Sequence, residues 1–242
     1  MLMNTLTVIL ARAGSKGLPG KNAMLLAGRP MLAWTLEHAM NSSRAGRVVL
    51  STDSPNLAKV AEEAGAAVVI RPAELADDYA TVDSAARHAV QVMERRHKTT
   101  FDPIVILYGN VPVRPPDLTD RAIDKLAKTG CDSVQSVYPV EKMHPYWMKR
   151  LGGESGDELL MYEPNEVYRR QDLPPVYMLN GGVIAVTRKN LFIEDATHPH
   201  AFLGKDRRAI VTAPDEVIDI DSRLDLLIAE AILAERSQGS VV

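Results

Sequence analysis

An α/β fold built on a mostly parallel sheet is predicted by three observations. Short apolar, β-prone runs alternate with amphipathic helical segments, a glycine-rich loop follows the first run directly, and the apolar content is sufficient for a large core. The first 70 residues read β-loop-α-β-α-β, an alternation that places helices on both faces of a parallel sheet and so gives three layers. At 242 residues, with 46% hydrophobic side chains, the chain suits one domain over residues 1–242.

The elements follow in order. Leu6 to Leu10 is an apolar strand that opens into the loop. Gly28-Arg29-Pro30 starts a helix to about Met40, with Pro30 suited to the first helical position and Met31, Trp34, Leu36 and Ala39 on its apolar face. Arg47 to Ser51 is a strand. Asp53-Ser54-Pro55 supplies a cap and a first-turn proline for a helix ending near Gly65, and Ala66 to Ile70 is the next strand. Thr81 caps a helix to about His97, Ile104 to Tyr108 is a buried strand, and Leu118 to Lys128 is a helix closed by Gly130. Ser133 to Tyr138 is a strand. From 139 to 175 the chain turns rich in Pro, Gly, Tyr and charge, which reads as an excursion from the sheet that covers substrate or joins two copies. Met178 to Val186, a short helix from Arg188, a strand at Ile210 to Thr212 and a helix from Arg223 to Arg236 complete the order. Ser222 and Asp225 open that last helix as a capping box.

Composition narrows the function. A net charge of −3 argues against nucleic acid as a partner, so any anion site must be local. A single cysteine, Cys131, leaves no intramolecular disulfide and no cysteine-based metal cluster. No uncharged stretch approaches membrane-spanning length and no basic leader precedes the first apolar run, so a cytoplasmic protein without a membrane partner is expected.

The loop Leu10-Ala11-Arg12-Ala13-Gly14-Ser15-Lys16-Gly17-Leu18-Pro19-Gly20-Lys21-Asn22 is built to hold an anion. Glycines let several backbone N–H groups turn toward one ligand, and Arg12, Lys16 and Lys21 add full positive charges. The spacing is neither that of a dinucleotide loop nor that of a P-loop, because Lys21 precedes Asn22 and not Ser or Thr. Further polar segments sit at strand ends: Ser51-Thr52-Asp53, Gly109-Asn110-Val111-Pro112-Val113-Arg114, and Asn180-Gly181-Gly182 within its strand. In a parallel sheet these converge on one rim, where ligands bind. Asp219 and Asp221 sit at i and i+2 of an extended segment and so project to the same side. Near a triphosphate they suit magnesium, which takes few protein oxygens. The same two residues also read as a solvated acid and a helix cap. Arg114 reads as a structural or surface residue, and His144, His198 and His200 as packing or loop residues.

Taken in order, the loop, Ser51-Thr52-Asp53, Arg170-Gln171-Asp172-Leu173-Pro174 ahead of Asn180-Gly181-Gly182, and Ile218-Asp219-Ile220-Asp221 with Asp225 and Ala229-Glu230 resemble the acylneuraminate cytidylyltransferases. These are the CMP-sialic and CMP-nonulosonic acid synthetases, and the resemblance runs from about residue 5 to 235. It implies a Rossmann-like nucleotide-diphospho-sugar transferase fold with a small dimerisation excursion. It also implies a magnesium-dependent transfer of CMP from CTP to the anomeric hydroxyl of an acidic sugar, with release of pyrophosphate, in a homodimer. By the same resemblance, Leu10, Ala11, Arg12, Gly14, Ser15, Lys21, Asn22, Thr81 and Asn110 would meet the nucleotide, with Arg12 and Lys21 catalytic. Asp219 and Asp221 would hold the metal. Tyr108, Arg170, Gln171 and Asn180 would meet the sugar. Tyr108 stands where the family has a glutamine, and Asn110 where it has a threonine or a metal-associated aspartate, so the expected acceptor is an acidic sugar of the wider class. The alternatives are a glycosyltransferase of related fold and a non-catalytic nucleotide-binding relative.

Overall fold

A computed structural model describes residues 3–14 and 17–239. The strands are β1 (Leu6–Leu10), β2 (Leu25–Leu26), β3 (Arg29–Pro30), β4 (Arg47–Thr52), β5 (Ala67–Ile70), β6 (Ile104–Tyr108), β7 (Ser133–Pro139), β8 (Lys149–Gly152), β9 (Glu158–Met161), β10 (Tyr177–Val186) and β11 (Arg207–Val211). The α-helices are α1 (Met31–Asn41), α2 (Pro55–Glu63), α3 (Val82–His97), α4 (Leu118–Thr129), α5 (Arg188–Leu191) and α6 (Arg223–Gly239).

Among the described residues the hydrogen-bonded centre of the sheet runs β1-β6-β10-β7-β11. The parallel pair β4 and β5 extends it beside β1, tied there by Arg47 N to Thr5 O and by Ala11 N to Ser51 O. Pairs β1/β6 and β7/β11 are also parallel, whereas β10 runs antiparallel to both of its neighbours. That one reversal matters for the site. It brings the first residues of β10, not the last, to the rim where β1 and β6 end. The register of β10 on β7 also shifts between Leu179 and Ile184, so Asn180, Gly181 and Gly182 form an irregularity there.

Two apolar clusters sandwich the sheet. Leu32, Leu36, Leu57, Leu118, Ile123 and Leu126 bring α1, α2 and α4 onto one face. Ala86, Val90, Met93 and Leu191 bring α3 and α5 onto the other. A smaller cluster of Leu26, Met31, Val113, Ile220, Ala229 and Leu233 seats α6. The caps follow local chemistry: Ser54 and Thr81 accept from Leu57 N and Ser84 N, and Gly130 closes α4 at φ +66.

Expected boundaries move at α1 and β11. Pro30 belongs to a small β2/β3 pairing with Leu25, so α1 begins one residue later, at Met31. The expected cap and first-turn proline of α2 are Ser54 and Pro55, and the Asp53 carboxylate beside them accepts from Ala13 N at 2.8 Å and holds the loop. β11 spans Arg207–Val211 because its parallel pairing with β7 starts at Ser133. Within 139–175 the hairpin β8/β9 pairs only with itself among the described strands, and His144, almost fully buried, pins the base of the excursion by its Nε2 contact with Pro174 O at 3.0 Å. Among the described residues no helix is long and apolar enough to cross a membrane.

Candidate active site

The loop after β1 and the segment 217–221, two hundred residues apart, meet because both lean on the 109–114 loop. Ile220 N donates to Asn110 O at 2.9 Å and Ile218 N to Val113 O at 3.3 Å, so 217–221 runs extended beside that loop. Ile220 is fully buried in the α6 cluster, which turns Asp219 and Asp221 the other way. The approach is close. A Cβ on Gly17 would lie 2.6 Å from Asp221 O, a distance at which only glycine fits.

Between these segments lies a cleft of about 400 Å³. Of the residues expected at the nucleotide, Leu10, Arg12, Gly14, Lys21, Asn22, Thr81 and Asn110 all line it, as do Tyr108 and Asp221. Ser15 lies outside the described residues. The Ala11 methyl is buried in the core beneath the sheet rim, so its side chain supports the loop and is not part of the cleft wall.

Two cations of the cleft, Lys21 and Arg12, are already paired with carboxylates. Lys21 Nζ lies 2.6 Å from Asp221 Oδ1 and donates to Ile220 O at 2.9 Å. Arg12 bridges to Asp78 at 2.9 Å and donates to Asp77 O at 2.8 Å. Asn22 donates to Arg12 O at 3.1 Å, while its buried Oδ1 has no hydrogen-bond partner. The N-terminus of α3 opens on the same space through Thr81, adding the positive end of a sixteen-residue helix.

Asp219 does not line the cleft itself; it walls the smaller space beside it and is hydrogen-bonded by Nδ2 of Asn110, which does line the cleft. Burial and the neighbouring charge of Asp221 raise its carboxyl to about 6, against the pull of Lys21 and Arg114. Burial and Asp219 push the Tyr108 phenol up to about 12, so it stays protonated. Arg114, with burial lowering it to about 9, is the structural residue expected. It donates to Gly182 O, Tyr108 O and Thr35 Oγ1 at 2.7, 3.0 and 3.0 Å, locking the 108–114 loop to β10 and α1.

The residues expected at the sugar divide differently. Tyr108 lines the cleft. The Asn180 side-chain amide is consumed inside the sheet, donating to Thr212 Oγ1 at 2.9 Å and accepting from Ser136 Oγ at 2.6 Å, and so does not face the cleft. Arg170 and Gln171 lie on an exposed turn of the excursion, with Arg170 paired to Glu141, and neither lines the cleft. Arg71, Asp77 and Asp78 line the cleft without having been singled out. Arg71 carried a usable signal, since it directly follows β5 as the loop follows β1. Its guanidinium is held by Ser51 O at 2.8 Å and Ser51 Oγ at 3.1 Å.

The donors available to a metal are the oxygens of Asp219 and Asp221, a set that fits a hard dication completing its shell with water and phosphate. Among the described residues no group of three His, Cys, Asp or Glu side chains could hold an ion alone.

A family model described as cytidylyltransferase matches residues 6–190. The chain is 33% identical to CMP-N,N'-diacetyllegionaminic acid synthase of Legionella pneumophila, covering 99% of this chain and 100% of that protein. It is 27% identical to pseudaminic acid cytidylyltransferase of Campylobacter jejuni, over 95% and 96% of the two chains. N-acylneuraminate cytidylyltransferase of Streptococcus agalactiae is 30% identical over 93% of this chain but only 52% of its own length. Among solved structures, CMP-2-keto-3-deoxy-manno-octonic acid synthetase complexed with CTP superposes with a TM-score of 0.70 at 20% identity, covering 96% and 99% of the two chains. That likeness establishes the fold.

Proposed function

We propose, from the premise that this chain belongs to the cytidylyltransferase family, that it transfers CMP from CTP to the anomeric hydroxyl of an acidic sugar and releases pyrophosphate. The observation that carries the reading is the meeting of Lys21 with Asp221, 2.6 Å apart across two hundred residues, in the wall of the cleft that Arg12 also lines. An anion-binding loop and a carboxylate pair thereby address one ligand.

The reaction is an in-line displacement at the α-phosphorus. The acceptor oxygen forms the new P–O bond as the bond to the bridging oxygen of pyrophosphate breaks, and the hydroxyl proton leaves to solvent. Catalysis is then mainly positioning and charge neutralisation. Arg12 and Lys21 would exchange Asp78 and Asp221 for phosphate oxygens and favour the departing pyrophosphate. The α3 N-terminus adds donors at the same rim, and Asn110 and Arg114 fix the wall opposite. Asp219 and Asp221 would hold Mg²⁺, which supplies neutralising charge to the triphosphate when bound. The relatives named for legionaminic, pseudaminic and N-acylneuraminic acids support an acidic nonulosonic acceptor, and a CTP-consuming reaction supports a cytoplasmic setting.

The excursion is proposed as a homodimer contact. Leu151, Leu159, Met161 and Tyr162 stand exposed on or beside β8 and β9, an apolar surface of the kind that a second copy covers. Light scattering at micromolar concentration should give the mass of a dimer, and a monomer would sink this part. For the activity, a panel of acidic sugars with CTP and magnesium should yield pyrophosphate for at least one member and none after chelation. Normal CTP binding without pyrophosphate from any acceptor would refute the enzyme reading.

A further inference from the structure

Beside the nucleotide cleft lies a smaller chamber of about 200 Å³, walled by Tyr108, Gln135, Leu179, Gly181, Ile184 and Asp219. Tyr108 lines both spaces, so the chamber continues the cleft past the tyrosine ring. The sheet register explains the grouping. Ile184 lies opposite Ile106 on one side and opposite Gln135 on the other, and residues directly opposite share a face. Tyr108, two residues beyond Ile106, projects from that same face. The doorway depends on Gly181, at φ +69: a Cβ there would stand 3.3 Å from both Asp219 Oδ2 and Tyr108 Cδ2, narrowing the gap from both sides.

Gln135 is the unusual residue of this chamber. Its neighbours Val134 and Ser136 are buried on the opposite face of β7. The Ser136 hydroxyl is fully used, donating to Asn180 Oδ1 and accepting from Val183 N at 3.0 Å. Among the described residues the half-buried side chain of Gln135 has no hydrogen-bond partner, although Leu179, Ile184 and the Tyr108 ring share its surroundings. A primary amide offers two N–H donors and an accepting oxygen, and neither polar atom of Gln135 is sealed from solvent, so both stand open to a ligand of matching pattern.

We infer that Gln135 is a specificity-determining residue whose amide reads an acylamino substituent of the acceptor sugar, seated in the chamber beyond Tyr108. This rests on the acidic-sugar reading above. An acylamino group carries one N–H donor and one carbonyl acceptor, the complement of the glutamine amide, and an alkyl end that packs on Leu179 and Ile184. A hydroxyl in its place fills neither the apolar wall nor the full hydrogen-bonding pattern.

The test compares kcat/KM for two acidic 2-keto-3-deoxy sugars at saturating CTP, one bearing acylamino substituents and one bearing only hydroxyls. Wild type, Gln135→Glu and Gln135→Leu are assayed, with CTP affinity by titration calorimetry as the check of folding. Wild type should prefer the acylamino acceptor, and each variant should lower that preference roughly 10- to 100-fold, while CTP affinity holds. A preference unmoved by either variant, an equal loss on both acceptors, or a wild-type preference for the hydroxyl sugar would overturn the assignment of Gln135 and leave the activity standing. Absence of pyrophosphate from wild type with either sugar would instead overturn the cytidylyl-transfer reading, and this inference with it.

Discussion

The loop over residues 10–22 and the excursion over 139–175 present opposite kinds of surface. In the loop the cations that line the cleft are paired: Arg12 with Asp78, Lys21 with Asp221. In the excursion large apolar side chains stand exposed, Leu159 at 73% and Leu151 at 69%, on a hairpin that pairs only with itself among the described strands. The first region holds its charges against internal stand-ins that a polyanion can replace. The second lacks a covering surface, and no described residue of its own chain supplies one. One chain supplies every wall of the cleft proposed for the nucleotide, whereas Arg170 and Gln171, expected at the acceptor, lie outside both that cleft and the chamber beyond Tyr108.

The largest expected effect tests the first half. Asp221→Ala removes a carboxylate proposed for the metal and the partner of Lys21, and should lower kcat for pyrophosphate release by roughly 10²- to 10³-fold. A loss below tenfold would separate the carboxylate from the chemistry. The next effect tests where the site ends. Asn180→Ala deletes an amide that satisfies Ser136 and Thr212 inside the sheet, so denaturant unfolding should show a loss of about 2–3 kcal/mol. KM for the acceptor should move little. A stable variant with a raised acceptor KM would return Asn180 to the sugar site.

These two aspartate and asparagine positions also show what was legible in the chain. The alternation of strands and helices, the cap at Thr81 and the shared projection of Asp219 and Asp221 follow from local periodicity and capping, which sequence carries directly. Ile220 confirms the principle, since its burial in the α6 cluster is what aims its acidic neighbours outward. The environment of Asn180 depends on the reversed direction of β10 and its register shift against β7, which are properties of pairing between distant segments. Ala11 misleads for a related reason: motif membership does not distinguish a backbone that shapes a loop from a side chain that faces a ligand. Arg71 was missed although its position after β5 matches the placement of the loop after β1, a regularity visible once the strands are aligned on one rim.

A smaller effect probes the ground on which the nucleotide half stands. His38 on α1 lies 2.8 Å from Thr119 Oγ1 on α4, beneath the loop that Arg114 locks. Burial, then the charge of Arg114, lower its pKa to about 3 from an ordinary 6.5. The unfolded chain therefore takes up a proton near pH 6.5 that the folded protein refuses until about pH 3. Stability from this residue is intact above pH 6.5 and is lost as the pH falls through that window, by about 2 kcal/mol at pH 5. Urea unfolding of wild type and His38→Gln at pH 7.5 and pH 5 isolates the term, because glutamine keeps a polar partner for Thr119 but does not titrate. The variant should lose less stability than wild type between the two pH values, and equal losses would remove His38 from the acid response.

The smallest effect returns to the excursion. Arg170 pairs with Glu141 on the surface, with about half of each side chain exposed, so breaking that pair costs little stability. If the excursion is completed by a second copy, Arg170 becomes available to the acceptor's carboxylate, for which a guanidinium fork is suited. Arg170→Ala should then raise acceptor KM about tenfold, the 1.4 kcal/mol expected for one charge-assisted contact, with KM for CTP unchanged. Repeating the measurement at protein concentrations on either side of the dimer transition sharpens the contrast. The difference between wild type and Arg170→Ala should appear only where the dimer forms. If it is equally large in the monomer, the acceptor half of the site belongs, like the nucleotide half, to a single chain.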